Sequence, residues 1–288
     1  MLYLKLIRFN HWIKNLFIFI PLFFSVELFS VDKFLLTFYT TIGFSFITVL
    51  VYIINDVFDI EFDKNHKDKK FRPIASGEIS LKSSFVIGLL FFLLGLWIVY
   101  SVSINAFFLS IIYFILNFFY SFKLKSIPIL DLIIVSIGFI IRVYIGSAVI
   151  QISVSNWVMI MVFLLSLFLA ICKRRDDVYL YEKKNTINRK VVLHYNLEFM
   201  NKIITIVSSV LIVSYLLFIT SMENFSSTYL LLTFILVILG ILRYNQITYV
   251  YNKGGSPIKI LFHDIFLQII LICWVTIFFI ILYKNQIF

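Results

Sequence analysis

Tyr52-Ile53-Ile54-Asn55-Asp56-Val57-Phe58-Asp59-Ile60-Glu61-Phe62-Asp63 is the stretch on which the reading of this chain turns. It ends an apolar run that begins near residue 34 and passes without a break into clustered carboxylates. A membrane helix needs about 20 mostly apolar residues, because every backbone amide must be bonded inside the segment. Residues 34–57 meet that requirement and deliver four polar groups to one end of the span. If the helix continues, Asn55, Asp59 and Asp63 fall at i, i+4 and i+8, and Asp56 joins them on one broad face. Clustered carboxylates repel one another and are costly near hydrocarbon, so a cation must compensate.

Working outward, the whole chain has the same character. Of 288 residues, 61% are hydrophobic and 14% charged, against about 25% charged in ordinary soluble domains. A water-soluble globular protein is excluded. Four prolines and nine glycines without a Gly-X-Y period exclude collagen-like or Pro/Gly-rich disordered chains. Polar clusters divide the chain into nine expected spans, near 13–30, 34–57, 83–103, 105–122, 129–150, 156–173, 203–221, 228–244 and 261–283. The expected fold class is all-α: a polytopic membrane protein of about nine transmembrane helices in a single domain, 1–288. The basic then apolar N-terminus lacks a small-residue cleavage site and reads as a retained first span. Cys172 and Cys273 lie in apolar segments and read as inert packing.

Of the 25 basic residues, only Lys33 and Lys284 fall in one set of loops, and Arg142 lies within a span. The remainder share the side of the N-terminus, which is expected to be cytoplasmic, with the C-terminus outside. Of the 15 acids, only Glu27, Asp32 and Glu223 face outward. Acids contribute little to topology, so their concentration on the cytoplasmic side points to chemistry there. A net charge of +10 is explained by that topology and needs no nucleic acid.

Oxygen ligands without cysteine favour a hard cation such as Mg²⁺, which commonly binds through one or two carboxylates plus substrate phosphates. Downstream lie Lys67, Lys70 and Arg72, within a loop's reach, which suit a diphosphate or other polyanion, neutralising charge on a leaving group. His66 is isolated and reads as an interfacial polar residue. Arg142 is the sharpest buried charge: insertion scales put an arginine at a helix centre at about 2.5–3.5 kcal/mol or more. It should face a polar cavity, either pairing with Asp131 or Asp264 or meeting a bound anion. Asp264 itself could serve as a helix N-terminal charge.

These residues resemble a known family. Asn55-Asp56-x-x-Asp59-x-x-x-Asp63 resembles the first acidic motif of the UbiA superfamily of intramembrane prenyltransferases. Arg8-x-x-His11-Trp12-x-Lys14-Asn15, Arg72-Pro73-Ile74-Ala75-Ser76-Gly77, Gly138-Phe139-x-x-Arg142, Lys173-Arg174-Arg175, Arg243-Tyr244, Pro257 and Asp264 resemble its polyprenyl-phosphate 5-phosphoribosyltransferase branch. Two departures stand out. His66-Lys67 replaces the branch's usual His-Pro, and Lys173-Arg174-Arg175-Asp176-Asp177 stands where prenyl-diphosphate enzymes carry a second aspartate-rich motif.

The resemblance implies a UbiA-like helical bundle in a bacterial inner membrane, with its active site facing the cytoplasm. It implies Mg²⁺-dependent transfer of a 5-phosphoribosyl group from phosphoribosyl diphosphate to a polyprenyl phosphate, feeding cell-envelope glycan synthesis. Asn55, Asp59 and Asp63 would hold the metal, and Asp56, Asp59, Lys67 and Arg72 would carry the chemistry. Lys14, Asn15, Lys70, Arg142, Lys173, Arg174, Asp177, Arg243 and Asp264 would bind substrate; the 173–177 cluster reads equally as a structural ion network. Membrane lipids are the remaining expected partners, and a homo-oligomer is compatible with the sequence. The main rival is a UbiA-type prenyltransferase moving a polyprenyl group to a small aromatic acceptor. A transporter fits poorly, since the polar residues gather on one side and no internal repeat is evident. A phosphatidyl-group transferase fits less well still, because its Asp/Gly-rich signature is absent.

Overall fold

The computed structural model describes residues 2–64, 69–184, 189–222 and 227–287. Among the described residues all regular structure is helical. Eight helices are long and apolar enough to cross a membrane: α1 Val31–Phe58, α2 Leu81–Val102, α3 Ile104–Phe122, α4 Leu130–Ile150, α5 Asn156–Lys184, α6 Leu197–Thr220, α7 Ser227–Tyr249 and α8 Ile265–Ile287. The chain is a multi-pass membrane protein. It divides into two compact units, Met1–Val154 with Asn188–Val191, and Ser155–Ile187 with Val192–Phe288.

The first expected span, 13–30, is built differently. Phe9–Phe19 forms a 3₁₀ helix and Ile20–Phe24 a short α-helix. Arg8, at φ 50°, turns the chain sharply before it. Asn10, His11, Trp12, Ile13 and Asn15 are all weak helix formers, and Pro21 has no N–H to continue an α-helical ladder. A 3₁₀ helix rises about 2.0 Å per residue, so the two pieces together have a contour of roughly 30 Å, comparable with a hydrocarbon core.

In the first unit, α1 and α2 meet through small residues. A Cβ on Gly95 would collide with the Gly43 carbonyl, and one on Gly146 would collide with the carbonyl of Ile18. Close backbone approach of this kind replaces the hydrophobic effect as the source of helix association in lipid. Phe44, Ile47, Val99, Ile141, Ile145, Ile18 and Leu22 fill the core between these helices. Buried hydroxyls close on their own helix: Ser45 donates to the Thr41 carbonyl at 2.7 Å and Thr48 to the Ser45 carbonyl at 2.7 Å. Ser80 and Ser103 cap α2 and α3, accepting from the amides of Ser83 and Ala106, as N-terminal serines do for orphan amides.

In the second unit, α5 runs well past the apolar stretch that the sequence delimits at 173, so residues 173–177 are helical. Arg175 ties three helices at one end. Its guanidinium donates to Asn201 Oδ1 at 3.1 Å, the Thr248 carbonyl at 2.7 Å and Asn252 Oδ1 at 2.6 Å. Deeper, Trp274 Nε1 donates to the Tyr215 hydroxyl at 2.8 Å, which donates to Thr233 at 2.8 Å. The expected span 261–283 is interrupted at Asp264, between the short helix Pro257–His263 and α8.

Candidate active site

The acidic run sits where α1 ends. Asp59 leaves the helix at φ −100°, ψ 4°, and the short helix Ile60–Lys64 restarts after it. The four polar residues fall into two bonded sets. Asn55 Nδ2 donates to Asp59 Oδ2 at 3.0 Å, and Lys125 Nζ reaches Asp59 Oδ1 at 2.6 Å. Asp56 and Asp63 are joined instead by Arg72, which lies 2.9 Å from Asp56 Oδ1 and in direct contact with Asp63 Oδ2. Arg8 also pairs with Asp56.

Arg72 is aimed by its own turn. The Ser76 amide donates to the Arg72 carbonyl at 2.8 Å and the Ile79 amide to that of Pro73 at 3.1 Å. Gly77, at φ 79°, makes the reversal that a side chain would strain. Pro73, Ile74, Ala75 and Ile79 bury themselves beneath the turn, leaving Arg72 at the acids.

The hydrogen bonds thus divide the expected metal set of Asn55, Asp59 and Asp63: Asn55 bonds Asp59, while Asp63 shares Arg72 with Asp56. Among the described residues no three His, Cys, Asp or Glu side chains gather as a metal cage. The Arg8 and Arg72 bonds engage Oδ1 of Asp56 and Oδ2 of Asp63, leaving the second oxygen of each outside them. Two carboxylates with free oxygens meet the needs of Mg²⁺, which takes its other ligands from water and substrate phosphate.

The electrostatics of the two sets differ. Burial pushes the Asp59 carboxyl up, but the charge and hydrogen bond of Lys125, with Arg189, prevail and hold it below the ordinary carboxylate range. For Asp63, burial outweighs the opposing pull of Arg72, and its pKa is raised. Burial also lowers the pKa of Lys125, against the pull of Asp59. Lys125, Asp59, Ser121, Ser126 and Arg189 line a cavity of about 130 Å³. Arg189 donates to the Tyr120 hydroxyl at 3.0 Å.

Further along the first unit lies Arg142, almost fully buried. Its Nε donates to Asn15 Oδ1 at 3.0 Å, one terminal nitrogen to the Gly138 carbonyl at 2.7 Å and the other to the Tyr113 hydroxyl at 2.9 Å. Within this unit it does not pair with Asp131. Asn15 is turned by a second bond, from Nδ2 to Ser45 Oγ at 2.9 Å. Lys14 is half-buried beside it. Lys70 is exposed, over the Phe71 ring, and Lys67 and His66 lie outside the described residues.

In the second unit, Arg174 pairs with Asp177 at 2.8 Å and both are buried, while Lys173 is exposed. Arg243 grips Asp264 through Nε and a terminal nitrogen, the latter at 2.7 Å. Asp264 Oδ1 also accepts from the Leu267 amide at 2.9 Å, so it caps α8 as well. The Arg243 hydrogen bond holds the Asp264 carboxyl below its ordinary range. Sequence reasoning missed Lys125 and Arg189 entirely and passed over Arg8, although Arg8 heads the quoted His11-Trp12-x-Lys14-Asn15 run.

A bundle of apolar helices with an Asn/Asp motif at the end of one span, answered by basic residues, defines an intramembrane transferase of the prenyltransferase type. The chain belongs to the UbiA prenyltransferase family, whose sequence profile matches residues 16–270. It is similar to decaprenyl-phosphate phosphoribosyltransferase of Mycobacterium tuberculosis (strain ATCC 25618 / H37Rv), 26% identical over 233 residues, covering 81% of this chain and 77% of that one. The enzyme of the same name from Corynebacterium glutamicum is 25% identical over 279 residues, covering 94% and 84%. The fold is similar to that of a UbiA homolog from Archaeoglobus fulgidus bound to DMAPP and Mg²⁺, with TM-score 0.73, 20% identity and coverage of 97% and 98%.

Proposed function

We propose that this chain transfers a 5-phosphoribosyl group from phosphoribosyl diphosphate to a polyprenyl phosphate, as one integral-membrane enzyme domain at the cytoplasmic face of a bacterial plasma membrane. Its product would feed cell-envelope glycan synthesis. The observation that carries this reading is the interleaving of Asp56, Asp59 and Asp63 with Arg8, Arg72 and Lys125. Acids and bases alternating in one site suit a polyanion that arrives with a divalent cation. The named phosphoribosyltransferases, similar over most of the chain, support the sugar donor.

Mg²⁺ would be held by Asp56 and Asp63, with Asp59 and Asn55 beside them, and would supply charge neutralisation on the leaving diphosphate. Arg72, Arg8 and Lys125 are set to take up the negative charge that grows on the diphosphate as the anomeric C–O bond breaks. Fixed cations in a site shielded from water cost little reorganisation at that moment. The acceptor phosphate is ionised at neutral pH, so no residue needs to act as a strong base. Lys67 and Lys70 keep the leaving-group role that the sequence resemblance implies, and Lys173 that of a contact to the lipid phosphate. Arg174 and Asp177 satisfy one another, and Arg243 and Asp264 do the same.

The test incubates the purified chain in detergent with Mg²⁺, polyprenyl phosphate and radiolabelled phosphoribosyl diphosphate, then counts the lipid phase. Label should enter lipid only with Mg²⁺ and with Asp59 intact, and Asp59→Ala should abolish it. Turnover of a prenyl diphosphate with an aromatic acceptor, and no lipid label, would replace this reading with ordinary prenyl transfer.

A further inference from the structure

Arg189 and Lys190 take no part in the reaction proposed above. They belong to the first unit although they follow α5 in the chain, and with Lys125 they wall the cavity of about 130 Å³ beside Asp59. Arg189 is steered there by the buried Tyr120, whose hydroxyl accepts from it at 3.0 Å. The lining carries three positive charges and one negative. That negative group, Asp59, is already bonded to Lys125 at 2.6 Å, so the hollow keeps an excess of two positive charges. Topology accounts for basic residues in such loops, but not for the convergence of three of them on one hollow.

The cavity lies where two membrane-crossing helices end. Phe58 closes α1 and Phe122 closes α3; both line the cavity and both are exposed. Their rings meet edge to face at 5.8 Å. From Phe122 an exposed stripe of Phe119, Ile115, Ile112 and Phe108 runs back along α3, at spacings of three and four that share one helix face. It is roughly 21 Å long and lies within a span, against hydrocarbon. A cationic hollow and an apolar track therefore join at Phe122, at the depth of lipid headgroups, where basic pockets between helices bind anionic lipids. The hollow is far smaller than the roughly 300–1,000 Å³ that encloses a whole small molecule, so it takes one group of a larger one. Its excess charge suits a phosphate monoester, at about −1.5 to −2 near pH 7, better than a singly charged diester.

We propose that this hollow seats the phosphate of a polyprenyl phosphate that arrives from the bilayer, with Arg189 and Lys190 gripping the phosphate and the first isoprene units lying over Phe122. The choice of lipid rests on the phosphoribosyl reading; the seat's chemistry does not. The forked guanidinium can bind two phosphate oxygens and the ammonium a third. Lys125, held by Asp59, closes the hollow on the side of the acidic run. The acceptor thereby gains partners that the sequence resemblance does not imply.

The experiment measures equilibrium binding of radiolabelled polyprenyl phosphate to the purified full chain in detergent, with polyprenol, inorganic phosphate and phosphatidylglycerol as competitors. Binding should saturate, and each competitor should be at least tenfold weaker than unlabelled polyprenyl phosphate. Lys190→Gln and Arg189→Gln should each weaken binding about tenfold, and Arg189→Lys should lose less. Lys190 is exposed, so its variant should fold and keep the thermal protection that Mg²⁺ with inorganic diphosphate gives. If Lys190→Gln and Arg189→Gln both bind as the unaltered chain does, the seat is refuted. Equal competition by phosphatidylglycerol would overturn the monoester in favour of any anionic lipid, and equal competition by inorganic phosphate would overturn the lipid. Binding that depends on Arg189 and Lys190, without label transfer from phosphoribosyl diphosphate, would instead refute the phosphoribosyl reading and leave the seat standing.

Discussion

At the scale of single residues, Arg72 has the most consequences. It bridges Asp56 and Asp63, and Asp63 is nearly fully buried. Removing one partner of a buried pair costs about 3–5 kcal/mol and an exposed one at most about 1; Arg72 is partly exposed, so Arg72→Ala should cost about 2 kcal/mol in detergent unfolding. Label transfer should fall by about two orders of magnitude, as for loss of a transition-state donor, and Arg72→Lys should recover only part of it, because an ammonium lacks the fork. A second outcome concerns acidity. Asp264 is held below the ordinary carboxylate range by Arg243, so its stabilising contribution is complete above that range and is lost as pH falls through its depressed value. The difference in unfolding midpoint between the wild-type chain and Asp264→Asn should therefore be constant near neutral pH and shrink below about pH 4. The acids of this site were legible in sequence because they are contiguous. Lys125 was not, since 66 positions separate it from Asp59 and no local periodicity links a loop lysine to a distant helix end.

At the scale of elements, apolar length identified the eight long helices well because the hydrocarbon thickness dictates it. Their ends were less legible. Residues 174–184 continue α5 although most of them are charged, since the ladder persists once it has left the apolar layer and Arg175 anchors it. The break at Asp59 had no sequence signal: no Gly or Pro stands there. Helix contacts give a sharper expectation. Gly95→Ala should lower stability by about 1–3 kcal/mol, the range for overpacking, because its Cβ meets the Gly43 backbone. Gly240→Ala meets only Ile270 at 3.6 Å, an ordinary contact, and should leave the unfolding midpoint unchanged or raised.

At the scale of the whole molecule, the parity of crossings decides where the C-terminus lies. Eight long helices alone would return the chain to its starting side. With the N-terminus on the cytoplasmic side and the C-terminus outside, as the distribution of lysine and arginine leads us to propose, the number of crossings would be odd, and the Phe9–Phe24 segment would supply the ninth through the reach of its 3₁₀ portion. Alkaline phosphatase fused after Phe288 should then be active and a fluorescent protein there dark; the reverse pattern would mean that the first segment lies along the interface.

The pairing of Asp56, Asp59 and Asp63 with Arg8, Arg72 and Lys125 also makes the site a closed circuit of charge before any substrate arrives. Such a site needs no ion to fold, so chelation with EDTA should leave the unfolding midpoint in place. Mg²⁺ alone must compete with three resident cations, and diphosphate alone must face three resident anions. Arriving together, each relieves the other's opposition: the metal takes the acids while the diphosphate takes the bases. Their binding is then thermodynamically coupled, each raising the other's affinity by the same factor. Titrations of either one at increasing fixed levels of the other should converge on one coupling constant.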